Sequence, residues 1–365
     1  MLSEEEIMAI AEAAKGWCGK RGSLTQTEPA FAREHPAAWA GMVELGWPGS
    51  LIDEEFGGSA IGIPATGRVM VELGRALVTS PLLSTGILAS DIIDRCGTVD
   101  QKACWLPRIV RGERLAVGVA GELNSPLAKE DTLVARRVES GWILSGTKPI
   151  VRDGDRAGYL LASAKMQGEG DPRAGLFLVP ADKTDRRTGM LADGSGVASY
   201  DFRSVSVADD AWLSEGVVER DLPRSLDLAR LMLSAEMFGV ASIAFETTLN
   251  YLKQRRQFGR TIGSFQALQH RAATMFVKLE LARSCLEAAL DAPEGLASVE
   301  RIALASYQVK SALNLVTREA IQMHGGIGMT TSHPAGLFLK RARVLEYSLE
   351  GSVEDAERYA RLRGI

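Results

Sequence analysis

The spacing of apolar residues changes twice along the chain. From residue 1 to about 112, apolar positions recur at i, i+3 and i+4 in IMAIAEAAKGW, AFAREHPAAWAGMVELG, IPATGRVMVELGRAL and LLSTGILASDIIDRC, which predicts helices. Ser3 with Glu6 reads as a capping box opening the first of them. Gly46-Trp47-Pro48-Gly49 and Gly57-Gly58 mark the breaks between segments. From about 113 to 213 the pattern shortens to β-rich runs: 115–121, 132–138, 141–148, 159–166, 175–181 and 197–207. Their spacing and turn residues predict an antiparallel sheet or small barrel. Beyond 222 the helical period returns in three long segments, roughly 225–255, 264–290 and 296–323, of a length and composition that pack as a bundle. The predicted class is α+β, mainly α. The domains expected are a helical 1–112, a β-barrel-like 113–215 and a long-helix bundle 216–365.

Composition narrows the function. With 46% hydrophobic and 24% charged residues the chain is an ordinary globular protein. Its 42 basic and 46 acidic side chains, net −4, exclude a globally basic nucleic-acid binder. No charge-free apolar run reaches the roughly 18 residues of a membrane span. The acidic start, MLSEEEIMAIAEAA, lacks the basic residues of an export signal. Cys18, Cys96, Cys104 and Cys285 are scattered, so reduced thiols and a cytoplasmic location are expected. The four histidines show no metal-ligand spacing, and no metal site is expected.

Chemistry concentrates in the last third. Arg255-Arg256-Gln257-Phe258-Gly259-Arg260 closes a long helix and precedes a glycine turn, where a guanidinium can grip a diphosphate bidentately. Phe258 can pack on a flat ring, and Gln266 and Gln322 offer amide donors and acceptors. Gly325 and Gly326 remove side chains where backbone N–H groups can approach an anion. A second basic cluster, Lys340-Arg341 with Arg343, suits the same diphosphate. Each feature also has a structural reading: a basic helix end matches the dipole, and a glycine pair makes a turn.

Together, RRQFG, the later SFQALQH, QMHGGIGM, the early LGWP and EEFGG resemble the acyl-CoA dehydrogenase family, in the family's order and over nearly the whole chain. The resemblance implies that Arg255, Gln257, Phe258, Gln266, Gln322, Gly325 and Gly326 hold the diphosphate and adenosine end of a neighbouring subunit's FAD. It further implies an acyl-CoA substrate, electrons passed to an electron-transfer flavoprotein, and a homodimer or homotetramer. Asp227 and Arg230 match residues lining the family's substrate pocket; an ion pair on the helix surface is the alternative.

Other segments depart from the family. Its Thr-Glu-Pro…Gly-Ser-Asp loop becomes Ala120-Gly121-Glu122-Leu123-Asn124-Ser125-Pro126, and its Lys-x-Trp-Ile-Thr/Ser motif becomes Lys148-Pro149-Ile150-Val151-Arg152. The catalytic carboxylate before a Gly-Thr pair corresponds to Glu350 in Leu349-Glu350-Gly351-Ser352, one residue late on an ungapped count. The alternative base position in a Leu-Asp-Leu-Glu-Arg run is Ala229, without a carboxylate, and Glu236 in the same helix is a remote substitute. Two expectations follow. One is an active FAD-dependent dehydrogenase with Glu350 as base. The other is a non-catalytic subunit of a heterotetramer, supporting FAD bound mainly by a sister chain.

Overall fold

The structure, a computed structural model, describes residues 2–21, 36–119, 132–167, 174–214, 216, 218–292, 295–330, 332–349 and 352–365. In chain order the helices are α1 (Glu4–Arg21), α2 (Pro36–Glu44), α3 (Gly62–Arg75), α4 (Ser90–Cys96), α5 (Val99–Val110), α6 (Val218–Gln254), α7 (Gln266–Leu290), α8 (Leu296–His324), α9 (Ala335–Glu346) and α10 (Ser352–Arg363). The strands are β1 (Leu115–Gly118), β2 (Val134–Val138), β3 (Gly141–Arg152), β4 (Tyr159–Gln167), β5 (Ala174–Pro180), β6 (Asp185–Met190), β7 (Gly196–Val207), β8 (Trp212–Leu213), β9 (Arg256–Gln257) and β10 (Arg260–Thr261). The expected capping box is present: the Ser3 N–H donates to Glu6 Oε2 at 2.7 Å, and the Glu6 N–H to Ser3 Oγ at 3.3 Å.

The chain gathers into two compact units. One holds α2, α4, α5, the eight-stranded sheet and the first turns of α6, to Ala229. Its strand path is β6-β7-β3-β2-β4-β5-β8, with β1 also on β4. Most pairings are antiparallel as expected, but β1 and β2 both run parallel to β4, in series along one edge. The described strands form an open path rather than a closed barrel. β4 and β5 read as continuous apolar runs because both their faces are covered: Leu160, Leu161, Ala162, Phe177, Leu178 and Val179 are all buried. Trp142 packs edge-on against Phe177 and Trp212, with centroids 5.5 and 5.3 Å away. β6 was invisible to apolar patterning: all six residues of its run, DRRTGM, are exposed at the sheet edge.

Within this unit, LLSTGILASDIIDRC opens as a π-helical segment, Leu82–Ala89, before becoming α4. All eight π-helical residues are buried. Thr85 explains part of the anchoring: its hydroxyl donates to the Leu115 carbonyl at 2.8 Å and accepts from the Leu115 N–H at 3.2 Å. The segment is thereby fixed to the start of β1.

The second unit holds α1, nearly all of α3, and the chain from Arg230 onward. α6 is long and apolar enough to cross a membrane, but 89% of its apolar window is buried inside the protein, as in a core helix. α3 and α6 cross with backbones almost touching. A Cβ at Gly74 would lie 2.0 Å from the Glu236 carbonyl oxygen, and one at Gly239 would lie 2.0 Å from that of Val71. Each helix thus contributes a glycine facing the other's backbone.

Charges are buried in the same unit. Asp355 of α10, fully buried, accepts from Lys310 Nζ at 2.6 Å and Ser306 Oγ at 2.7 Å, both on α8. Its other oxygen lies 3.6 Å from Arg230 Nε on α6. Glu236 of α6 pairs with Arg341 of α9, both buried. A buried ion is tolerated only when paired, so these contacts dictate how α9 and α10 lie against α6 and α8.

Four substitutions test this packing by denaturant unfolding. Gly239→Ala is expected to cost about 1–3 kcal/mol by overpacking, whereas Gly16→Ala, with open space around it, should be neutral or slightly stabilising. Asp355→Ala strands two buried cations and should cost about 3–5 kcal/mol. Glu12→Ala removes only the exposed Glu12–Lys15 pair and should change stability by less than about 1 kcal/mol.

Candidate functional site

The RRQFG segment is a hairpin. After α6, β9 and β10 pair Gln257 with Arg260 and Arg256 with Thr261. Phe258 and Gly259 form the two-residue loop, with φ of 51° and 78°. Positive φ at both positions is the type I′ pattern, which ordinarily recruits Asn or Gly, so a phenylalanine there is strained by its own Cβ. That ring is 89% exposed, touching Phe265 edge-on at 6.1 Å between centroids. Arg260 lies over Phe265 at 4.0 Å, which braces the hairpin against the start of α7. The Arg255 and Arg256 guanidinium groups make no hydrogen bond or ion pair among the described residues.

Two ties bring the other predicted residues to this hairpin. The Tyr251 hydroxyl, one turn before Arg255, donates to the His324 carbonyl at 3.4 Å, joining the ends of α6 and α8. Arg271 Nε donates to Glu319 at 2.6 Å, joining the first turns of α7 to the last of α8. Gln266 at the start of α7 and Gln322 in the last turn of α8 are both exposed. The α8 helix stops at Gly325, whose φ of 62° and ψ of −142° only glycine adopts readily. A Cβ at Gly325 or Gly326 would meet nothing within 4 Å, so no internal packing requires these glycines. One surface therefore carries free cations, free amides, an exposed aromatic ring and bare backbone. That set fits the diphosphate and flat ring system of a dinucleotide.

Below this surface lies a ring stack. His324 is buried and its ring centroid is 4.3 Å from that of Tyr251 and 4.1 Å from that of His333. Burial pushes the His324 imidazole below its ordinary value, and burial with the neighbouring imidazole pushes His333 down to about 4. Sequence reading missed Tyr251 and His333. Tyr251 carries a faint signal, its place one turn before Arg255; His333, in a turn before Pro334, carries none.

The remaining predicted residues behave differently. Asp227 and Arg230 are 5% and 2% exposed, so they do not form an ion pair on the helix surface, and Arg230 faces Asp355. Glu236 is engaged with Arg341, which closes it as a free base. That pair also removes Arg341 from the second basic cluster, and Arg343 Nη1 donates to Glu346 at 2.6 Å; of the three, Lys340 alone is exposed and unpaired among the described residues. The cluster reads as basic in sequence because its carboxylate partners are remote or on the next turn.

On the sheet, Ile150 is 45% exposed at the end of β3. Arg152 Nε is 4.0 Å from Asp153, which sits at φ 57° and accepts from Ser84 Oγ at 2.7 Å. Lys148 is buried and donates to Ser163 Oγ at 3.2 Å. Glu350 and the run Ala120-Gly121-Glu122-Leu123-Asn124-Ser125-Pro126 lie outside the described residues. Leu349, the residue that an ungapped count puts at the base position, is half-buried just after α9.

The chain is similar to known proteins along nearly its whole length. Residues 4–113 match the model of the acyl-CoA dehydrogenase N-terminal domain, and residues 222–354 that of the C-terminal domain. Acyl-CoA dehydrogenase IpdE2 of Mycolicibacterium smegmatis is 32% identical over 345 residues, covering 93% of each chain. A variant of the Tcur3481-Tcur3483 steroid ACAD superposes with a TM-score of 0.84 at 28% identity, covering 99% of this chain and 98% of the other. The ChsE4-ChsE5 complex from Mycobacterium tuberculosis shares the fold, with a TM-score of 0.86 at 23% identity over 100% of this chain and 98% of that one. Matched in both terminal domains and along nearly the full length of a 32% identical relative, the chain belongs to the acyl-CoA dehydrogenase family.

Proposed function

We propose that this chain works in an FAD-dependent acyl-CoA dehydrogenase assembly that introduces an α,β double bond into an acyl-CoA thioester. The observation that carries the reading is the strained, 89% exposed Phe258 in the same hairpin segment as Arg255, which is unpaired among the described residues. A chain keeps such a loop when something outside it is bound there. Arg255 grips a diphosphate, Gln266 and Gln322 bond polar edges, Phe258 packs on a flat ring, and Gly325 and Gly326 admit the phosphate to the backbone. When bound, FAD supplies the acceptor for the hydride leaving the thioester's β-carbon. A carboxylate must take the α-proton, and in this chain Glu350 is assigned that role. Asp227 and Arg230, at positions that match residues lining the family's substrate pocket, are assigned to the substrate side. Electrons leave to an electron-transfer flavoprotein, and four scattered cysteines without a C-x-x-C pair suit a reducing, cytoplasmic setting.

The hairpin faces outward, which favours use across a subunit interface, in a homodimer, a homotetramer or a heterotetramer. A specific observation favours the heteromeric reading. At the two positions where the family presents an indole and a hydroxyl to the flavin ring, this chain has Ile150 and an Arg152 lying beside Asp153. Glu236 is committed to Arg341, and Ala229 has no carboxylate. In that form the chain supplies the diphosphate and adenosine contacts while a sister subunit cradles the flavin and performs the proton transfer. The paired name of the Tcur3481-Tcur3483 relative supports such a partnership.

The absorbance spectrum of the purified chain separates the two forms. Yellow protein bleached by an acyl-CoA, with bleaching abolished in Glu350→Gln, marks a self-sufficient enzyme. Colourless protein that takes up FAD only with a co-expressed sister chain marks the heteromer, and no FAD under either condition overturns both. In whichever assembly binds FAD, Arg255→Ala should weaken its affinity roughly 10–100-fold, the loss of about 1.5–3 kcal/mol of charged hydrogen bonding. Phe258→Asn should leave the hairpin more stable by about 1 kcal/mol, by relieving the left-handed backbone, yet bind FAD more weakly.

A further inference from the structure

The stacked rings beneath the hairpin do more than fill space. His324 Nδ1 lies 2.6 Å from the Ala320 carbonyl, and because a carbonyl only accepts, the proton is on Nδ1. Nε2 is then a bare lone pair, buried and without a hydrogen-bond partner among the described residues. His333 has the opposite tautomer: its Nδ1 accepts the Ala335 N–H at 3.2 Å, so its proton is on Nε2. Each imidazole therefore has a geometric reason to stay neutral. Protonating His333 sets a second N–H against the Ala335 N–H, and protonating His324 buries a cation with no acceptor. With ring centroids 4.1 Å apart, either charge also lies against the other ring.

The stack holds a particular joint. Tyr251 presents its ring to both imidazoles, at 4.3 and 6.1 Å, and its hydroxyl bonds the His324 carbonyl. One turn past Tyr251 the chain enters the hairpin; one residue past His324 it enters the glycine turn. Tyr251 from α6 and His324 from α8 are the titratable groups facing His333, and among the described residues no carboxylate or other cation is a cause of either imidazole's shift.

We propose that Tyr251, His324 and His333 form an acid-sensitive joint clamping the hairpin after α6 to the glycine turn after α8, and that protonation of His333 opens it. The sign follows from linkage. The closed joint holds His333 neutral well below the ordinary imidazole range, so opening takes up a proton as pH falls from about 6.5 toward about 4. Across that window the open fraction grows up to about tenfold per pH unit. At neutral pH the joint is shut, and the two halves of the dinucleotide surface are held together.

Hydrogen exchange on the full chain without FAD tests this separately from any cofactor reading. After correction for the intrinsic acid dependence of exchange, peptides spanning the hairpin and the glycine turn should lose protection together between about pH 6 and 4. Peptides from β4 and β5 should stay protected. His333→Phe keeps an aromatic ring but cannot be protonated, and should abolish the acid response at both peptides. Histidine NMR, simplified because the chain has only four histidines, should show His333 neutral to well below pH 6. The proposal is overturned if His333→Phe opens at the same pH as the parent, if His333 titrates near 6.5, or if the sheet peptides open in step with the joint.

Discussion

Helix α6 buries two opposite charges six residues apart, Arg230 and Glu236, and the bundle is arranged around satisfying them. An isolated ion inside a protein costs several kcal/mol, so each must meet a partner from another helix. Asp355 of α10 faces Arg230 while also accepting from Lys310 and Ser306; Arg341 of α9 meets Glu236. Helix α10 carries little apolar surface of its own and is placed by Asp355, while α9 adds its Arg341 pairing to the burial of Phe338, Ala342 and Leu345. The reciprocal glycine contacts of α3 and α6 complete the arrangement, since only a bare backbone lets α3 approach so closely.

With the interior so committed, the chemistry that remains free is on the outside. Arg255, Gln257, Phe258, Gln266 and Gln322 are exposed because the ends of α6, α7 and α8 meet at one place, tied by Tyr251 to the His324 carbonyl and by Arg271 to Glu319. The distinction between a basic residue that binds a ligand and one that holds the fold is the presence of an internal partner. Arg255 has none among the described residues; Arg341 and Arg343 have theirs. The same test separates Glu236, a carboxylate already in use, from a residue available to move protons.

Much of the fold was legible in the residue pattern. The long helices match the expected 225–255, 264–290 and 296–323 to within two residues at every end but one, α6 beginning seven residues earlier at Val218, because amphipathic period and length report on them directly. β6 was not legible, since an exposed edge strand needs no apolar alternation, and neither was α10, whose anchoring is by the charge of the buried Asp355. Nor does local sequence show that β1 and β2 run parallel to β4, because strand direction is settled by long-range pairing. The candidate site was readable as motifs. The pairing of His324 with His333 was not, for it depends on a turn that brings a second imidazole back onto the first.

The sequence by itself determined most of the element types, the family resemblance and the residues offered to a dinucleotide, because those depend on periodicity and on residue chemistry at fixed spacing. Tertiary structure alone decided which charges are spent. Arg230, Glu236, Arg341 and Asp355 are ordinary ionisable residues in the linear chain, and become structural ties only when burial removes water as their alternative partner. It also decided that α1 and α3 join the C-terminal helices, while α2, α4 and α5 join the sheet. Contacts between segments far apart in the chain leave no trace in local pattern, and so the tertiary fold is where they are set.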